Sequence, residues 1–396
     1  MDLEKEAKPQ AALRHCMPVR RNVYWAILHG IRIMPAAWKG GKGDTLMRRP
    51  STANRPAPRI LIVRLSAIGD VIQGLPVLCA LRDRFPQAML AWVVEEPAAE
   101  LLRGHEALDQ LIELPRKWLQ SVRTVQDARR RLRAVKPDIA VDVQGLTKSA
   151  VAAWLSGAKR RIGFGGRDGR ELSQWFYTER VLATSQHRID SYLEILRPLG
   201  IESPQVRFEI LERRPDRIAA KEMVRQAGCQ GGFCLIHPGA GWPSKRWPPD
   251  RYATVARHLG EERGLPSMVL WAGEEGRSWA EAVVTGSEGH ARLAPAISLI
   301  RLAALCRRAR LYLGSDSGPL HLAAAVGTPS VGLYGPWPAD RHGPYGAGHV
   351  TVQKMVCQGS TRRRRHASSE FMEAIDVESV CEACDRILYR DASYAA

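Results

Sequence analysis

Hydrophobic residues in this chain recur with two alternating periods, and the alternation predicts an α/β fold. The runs RILIVRL from Arg59, AMLAWVVEE from Ala88, LDQLIELP from Leu108 and PDIAVDVQG from Pro137 are short and continuously apolar, as strands buried on both faces must be. Between them the spacing shifts to that of helices. Val71, Leu75, Leu78 and Leu81 fall on one face, AAELLRGH and TKSAVAAWLSG read as helices, and Ser121 to Val135 reads as a basic amphipathic helix. A Gly- and Arg-rich loop, Arg161 to Arg180, running into an aromatic helix, is expected next. HRIDSYLEILRPLGI then predicts a helix, and Glu202 to Asp216 a linker.

The second half repeats the scheme. Ile218 to Gly228, PPDRYATVARHL, SWAEAVVTG and ISLIRLAALCRRA predict helices, while FCLIHPGAGW and SMVLWAGEEG predict strands followed by turns. Leu311 to Leu313 predicts a further strand, which passes through the polar turn Gly314 to Pro319 into an alanine-rich helix ending near Gly327. SVGLYG predicts a strand after it. Strands alternating with helices imply two doubly wound, Rossmann-like parallel sheets facing across a cleft. The expected division is a basic, poorly ordered N-terminal extension over 1–58, domains over 59–205 and 206–375, and a C-terminal helix over 376–396.

Composition narrows the class. With 45% hydrophobic and 25% charged residues the chain is globular, and it contains no apolar run of about 18 residues that would predict a membrane-crossing helix. The formal charge of +17 is uneven: residues 1–59 hold twelve Lys/Arg against four Asp/Glu, and Arg362 to Arg365 add four more. Basic stretches of this kind suit anionic lipid, or an acidic lipid-linked substrate, as well as nucleic acid, and they lack the aromatic interleaving of single-strand binders. No nucleic-acid partner is expected. Asn22 to Trp38 lacks the h-region and cleavage site of a signal peptide and reads either as an interfacial helix or as sequence upstream of the true start, since Met47 would begin a chain a few residues before the first strand. The eight cysteines are scattered and show no disulfide framework, which points to a reducing compartment. Cys381 and Cys384 form a CxxC at helical spacing with no second pair or histidine cluster nearby.

Three turns at carboxyl ends of strands carry candidate chemistry. In Ser66 to Asp70, the aspartate sits at a helix start, where the dipole favours its ionised form. In HPGAGWPSKRW, the small residues Gly239 and Ala240 let backbone approach a ligand, and Lys245 and Arg246 bring positive charge. In GSDSGP, Ser315, Asp316 or Ser317 can cap the next helix, and Pro319 sits where a missing N–H is harmless, so the first-turn N–H groups suit an anion. Asp316 fits such a site by ordering the turn. The first strand is followed by RLSAIGDVIQG, without the GxGxxG of a dinucleotide enzyme.

Four segments, RLSAIGDVIQGLPVLCALR, VDVQGLTKSA, HPGAGWPSKRWPPDRY and GSDSGPLHLAAAVGTPSVGLYGP, resemble in order and spacing the lipopolysaccharide heptosyltransferases of glycosyltransferase family 9. The resemblance is strongest to the members that add the first heptose, and it covers about residues 59–390. It implies a GT-B fold, an N-terminal acceptor domain, a C-terminal nucleotide-sugar domain, and metal-independent, inverting transfer of heptose from ADP-heptose, a substrate and not a cofactor. The acceptor would be the Kdo of the lipid A-linked inner core, an anionic lipid-linked saccharide. The enzyme would be cytoplasmic, peripheral on the inner face of the inner membrane.

Carried over by position, Asp70 is the base and Lys245 neutralises the leaving diphosphate, aided by Ser317, Gly318 and His321. Gly239, Ala240 and Asp316 complete the donor turns, Glu274 or Glu275 binds the ribose, and Ile297 lies near the adenine. Arg64, Arg116, Lys117, Lys148, Arg170 and His187 are the candidate acceptor contacts. The sequence departs from the family at Cys357, where several cysteines are usual, in the arginine run after it, and at Pro319 and Ile297. The alternatives are a GT-B transferase for another nucleotide sugar and a non-enzymatic polyanion-binding protein.

Overall fold

A computed structural model describes residues 57–394. The expected N-terminal extension, with its Asn22–Trp38 segment and Met47, lies outside the described residues except for Ala57 and Pro58.

The first domain runs β1 (Arg59–Val63), α1 (Ile68–Arg84), β2 (Met89–Glu95), β3 (Gln110–Leu114), α2 (Val122–Ala134), β4 (Ile139–Asp142), α3 (Thr147–Leu155), β5 (Arg160–Phe164), β6 (Glu179–Val181) and α4 (Arg188–Glu194). Its strands are parallel, in the order β3-β2-β1-β4-β5-β6. The second domain runs α5 (Arg214–Gln226), β7 (Cys234–His237), α6 (Pro249–Arg263), β8 (Ser267–Val269), α7 (Gly273–Gly286), β9 (Ala291–Leu293), α8 (Leu299–Cys306), β10 (Leu311–Ser315), α9 (Gly318–Ala325), β11 (Ser330–Tyr334) and α10 (Ala339–His342). It ends with β12 (His349–Gln353), α11 (Thr361–Arg365), α12 (Glu370–Glu373) and α13 (Val377–Tyr394). The second sheet, β12-β11-β10-β7-β8-β9, is also parallel and has the same winding.

Local chemistry explains the elements that matter. Ile60 to Val63 are fully buried between β2 and β4, with Ile60 opposite both Leu90 and Ile139. Each such aliphatic side chain contributes about 1.5–3 kcal/mol by leaving water. Helix α1 begins where Asp70 accepts the Ala67 N–H at 3.1 Å, and its Val71, Leu75, Leu78 and Leu81 are all buried. Gly69 and Gln73, on the other side of the helix, meet α9, and one apolar cluster includes residues of both domains.

In each sheet the winding reverses between the first and fourth strands, β1/β4 and β7/β10. Ligands of such sheets bind at that reversal. All three turns singled out in the sequence, after β1, β7 and β10, lie there, and the last two are neighbours because β7 and β10 pair.

Several boundaries differ from expectation. The segment Arg161–Arg180 is not one loop: Ile162 and Phe164 carry a buried strand, β5, and the segment ends in β6. The aromatic helix inside it is a single 3-10 turn, Ser173–Phe176, and AAELLRGH likewise supports only a 3-10 turn at Ala98–Leu101. Strands β9 and β12 went unanticipated because ARL and HVTVQ are short and half polar, as edge strands tolerate. The linker ends earlier, at the start of α5, and the GEEG turn is the first turn of α7. Helix α13 is a layer of the second domain, since Val380, Ala383, Cys384, Ile387 and Leu388 pack in its core cluster. Burial raises the Cys381 thiol to about 11 and the Cys384 thiol further, so both stay protonated packing groups.

Candidate active site

The three turns open into one cleft of about 1850 Å³ between the domains. Drug-sized ligands occupy roughly 300–1,000 Å³, so the cleft has room for two substrates.

At its floor the N-termini of α1 and α9 meet. A Cβ on Gly69 would lie 2.8 Å from His321 Cδ2, and one on Gly318 would lie 2.9 Å from Ile68 Cγ2. Only glycine at both positions permits this approach, which aims two helix N-termini at the same space.

Asp70 stands on the first-domain side of that contact, its side chain 41% exposed to the cleft. Burial by the cleft walls opposes its ionisation, but Arg64, the Ala67 N–H, Arg188 and His342 outweigh burial and hold the carboxyl below its usual range. Arg64 Nη2 is 2.6 Å from Asp70 Oδ1, while Arg64 Nη1 donates to the Val143 carbonyl at 3.0 Å. Behind it, the guanidinium lies 5.1 Å from the Tyr192 ring centroid. Arg64 lines the cleft but is 3% exposed, and its pairing with Asp70 positions that carboxylate.

On the second-domain side, Lys245 pairs with Asp316, and its ammonium sits 4.2 Å from the Trp337 ring centroid. His321 Nε2 is 3.3 Å from Asp316 Oδ1, and its Nδ1 is 3.3 Å from Gln73 Nε2 of α1, which ties the two domains together. Burial disfavours the Asp316 carboxylate, yet Lys245 and His321 drive its pKa far below normal. Asp316 therefore orders the turn as an anion and leaves two of the three ammonium donors of Lys245 for a ligand. Ser315 is buried against the Tyr252 hydroxyl at 3.0 Å and does not cap α9. Ser317 is the N-cap residue but makes no capping bond, so the first-turn N–H groups have no side-chain acceptor. Burial lowers the pKa of His237 to about 4, and burial, partly offset by Asp316, lowers that of His342 to about 4. Both are neutral at neutral pH.

Gly239, Ala240, Glu274, Glu275, Ser317, Gly318, Arg116 and Arg170 also line the cleft. Glu275 is held by Arg246 at 2.9 Å, whereas Glu274 has no cationic partner among the described residues and can accept sugar hydroxyls. Four expected residues lie elsewhere. Ile297 packs against the core, and Leu299 and Trp279 line the cleft instead. Lys117 is exposed outside it, and Lys148 is committed to Glu95 and to the Arg116 carbonyl. His187 caps α4 and bonds the Gly343 carbonyl at 3.0 Å, a link between domains.

Gln73, Asp168, Arg188, Arg341 and Trp337 went unrecognised in the sequence. Gln73 lies one turn beyond Asp70 on α1, a spacing that could have revealed it. Asp168 joins Arg188 at 2.7 Å to Arg341 at 2.5 Å, a bridge between domains invisible without the fold. Outside the cleft, Cys79, His105 and Glu209 lie within 4.8 Å of one another. There His105 Nδ1 accepts the Ala107 N–H and burial raises Cys79 to about 12, so both are committed to the fold.

The family model for glycosyltransferase family 9 (heptosyltransferase) matches residues 125–370. The chain belongs to this family. The transferase is 29% identical over 301 residues to lipopolysaccharide heptosyltransferase 1 of Pseudomonas aeruginosa, covering 74% of this chain and 82% of that protein. To the same-named protein of Escherichia coli K12 it is 26% identical over 310 residues, covering 76% and 93%. Its fold matches the crystal structure of a family 9 glycosyl transferase from Veillonella parvula with a TM-score of 0.74 at 24% identity, covering 86% of this chain and all of that one. E. coli heptosyltransferase WaaC with ADP matches at 0.65 and 22%, covering 83% and 99%. The fold of the transferase is thus GT-B, two Rossmann-like domains about a cleft.

Proposed function

We propose that the protein transfers heptose from ADP-heptose to the Kdo of the lipid A-linked inner core, with inversion and without a metal ion. The observation that carries this reading is the juxtaposition at the Gly69–Gly318 contact of an ionised carboxylate with a lysine-backed, uncapped helix N-terminus. Inverting displacement at an anomeric carbon needs a base on one face and an anion site on the other. Asp70 removes the proton of the acceptor hydroxyl as its oxygen attacks the anomeric carbon, and the bond to the diphosphate breaks with ADP as the leaving group. Lys245 and the N–H groups of Ser317 and Gly318 take up the developing charge, and Glu274 accepts from the ribose. Arg116 and Arg170 hold the acidic acceptor. Among the described residues no helix is long and apolar enough to cross a membrane. Basic surface drawn to anionic lipid then holds the protein peripherally on the cytoplasmic face of the inner membrane.

The test is incubation of purified protein with ADP-heptose and Kdo-bearing lipid A, followed by mass spectrometry of the lipid and thermal shift with ADP, UDP and GDP. One added heptose and stabilisation by ADP alone are expected. Absence of transfer, or stabilisation by UDP or GDP in place of ADP, overturns the assignment.

A further inference from the structure

The cationic side chains of the cleft fall into two groups. Arg64, Arg188, Arg246, Lys245 and Arg341 each pair with a carboxylate. Arg116, Arg167, Arg170, Arg362, Arg364 and Arg365 line the same cleft and, among the described residues, have no carboxylate within 4.0 Å. Three of these six come from the first domain and three from α11.

Helix α11 is anchored to both walls. On the second-domain wall, Ser244 Oγ donates to the Arg365 carbonyl at 3.2 Å, and the Arg365 guanidinium lies 4.5 Å from the Trp242 ring centroid. Within its own segment, Arg364 Nε donates to the Cys357 carbonyl at 3.0 Å, and Ser360 caps the helix through the Arg363 N–H at 3.3 Å. Towards the first domain, Arg170 Nη1 donates to Thr361 Oγ1 at 3.5 Å. The arginine run is therefore a strap across the cleft.

Six like charges without counter-charges repel one another, and an anionic ligand relieves that repulsion. The diphosphate of the donor already has Lys245 and the start of α9. A single sugar carboxylate occupies one or two guanidinium groups, since each binds it bidentately. The remaining arginines call for a second anionic group on the acceptor.

We propose that α11 forms the far half of the acceptor site, where Arg362, Arg364 and Arg365, with Arg170 across the strap, hold a phosphomonoester of the lipid-linked acceptor. This subsite is separate from the one that places the acidic sugar against Asp70, and it rests on the transfer reading above.

The experiment compares wild type with R362Q/R364Q/R365Q on two acceptors, Kdo-bearing lipid A with its phosphates and the same lipid after phosphatase treatment. The triple variant should raise KM for the phosphorylated acceptor about tenfold, as loss of three partly exposed ion contacts predicts. Donor KM, and acceptor KM for the treated lipid, should stay within about twofold of wild type because neither involves these ion contacts. Added salt should raise the acceptor KM of wild type more steeply than that of the variant. The double variant R362Q/R365Q, which keeps the Arg364–Cys357 bond, should show a smaller rise in the same direction with an unchanged melting temperature. An unchanged KM, an equal rise on both acceptors, or a rise in donor KM overturns the subsite while an active wild type leaves the transfer reading intact. A wild type that transfers heptose to neither acceptor overturns both.

Discussion

On the first-domain wall of the cleft, charge is carried by long side chains: Asp70 is steadied by Arg64 and Arg188, and Arg116, Arg167 and Arg170 face the space with no carboxylate partner among the described residues. On the opposite wall the turns after β7 and β10 present backbone and short contacts instead, with Gly239 to Gly241, the uncapped start of α9, and a lysine already bound to Asp316, and the arginines of α11 lie outside those turns. The first wall suits an acidic ligand whose position can adapt, because flexible cations follow an anion. The second suits a diphosphate of fixed shape, because N–H groups on a helix cannot.

Four substitutions test that contrast, in falling order of effect. Asp70→Asn keeps the size and the cap but removes the base, so kcat should fall about 10³-fold while calorimetry shows ADP binding unchanged. Retained turnover would assign the base elsewhere. Lys245→Met should lower kcat by roughly 10²-fold, a loss like that of a charge-stabilising donor, and should weaken ADP binding as well. If only acceptor KM responds, the two walls have been assigned the wrong way round.

Arg64→Met tests how the base is tuned. Because the Asp70 carboxyl is held below its ordinary 3.8, its charge persists as pH falls to that value and is lost only as pH drops through the lowered pKa. The stability conferred by its ion pair follows the same course, present above the unfolded pKa and lost below the folded one. Without Arg64, burial dominates and the acid limb of kcat/KM should move to higher pH. An unmoved limb would mean that Arg188 and the helix dipole suffice. Lys117→Ala should change acceptor KM by less than about twofold, as expected for an exposed residue outside the cleft. A larger change would extend the acceptor wall past its present boundary.

The sequence disclosed most of the architecture because buried parallel strands leave continuous apolar runs, and β1, β7 and β10 stand out. It missed β9 and β12, whose edge positions allow polar residues. The site was legible where chemistry is local: Asp70, Lys245 and Ser317–Gly318 each sit within a few residues of a strand end. It was not legible where partners come from distant segments. Nothing near Arg64 in the chain shows that it faces Asp70, and Asp168, Arg188 and Arg341 meet only in three dimensions. Lys148 and His187 carry the expected residue types but spend their hydrogen bonds on Glu95 and Gly343, which periodicity cannot reveal.

The glycine pair at the floor of the cleft has a mechanical consequence. Gly69 and Gly318 meet near their backbones, so the spacing between the base and the leaving-group site is set by main chain and not by the rotamer of a side chain. Gln73 with His321, His187 with Gly343 and Asp168 with Arg341 hold the same two walls together around it. A Gly69→Val side chain would be driven into His321 and the start of α9, lengthening the gap where tolerance is least.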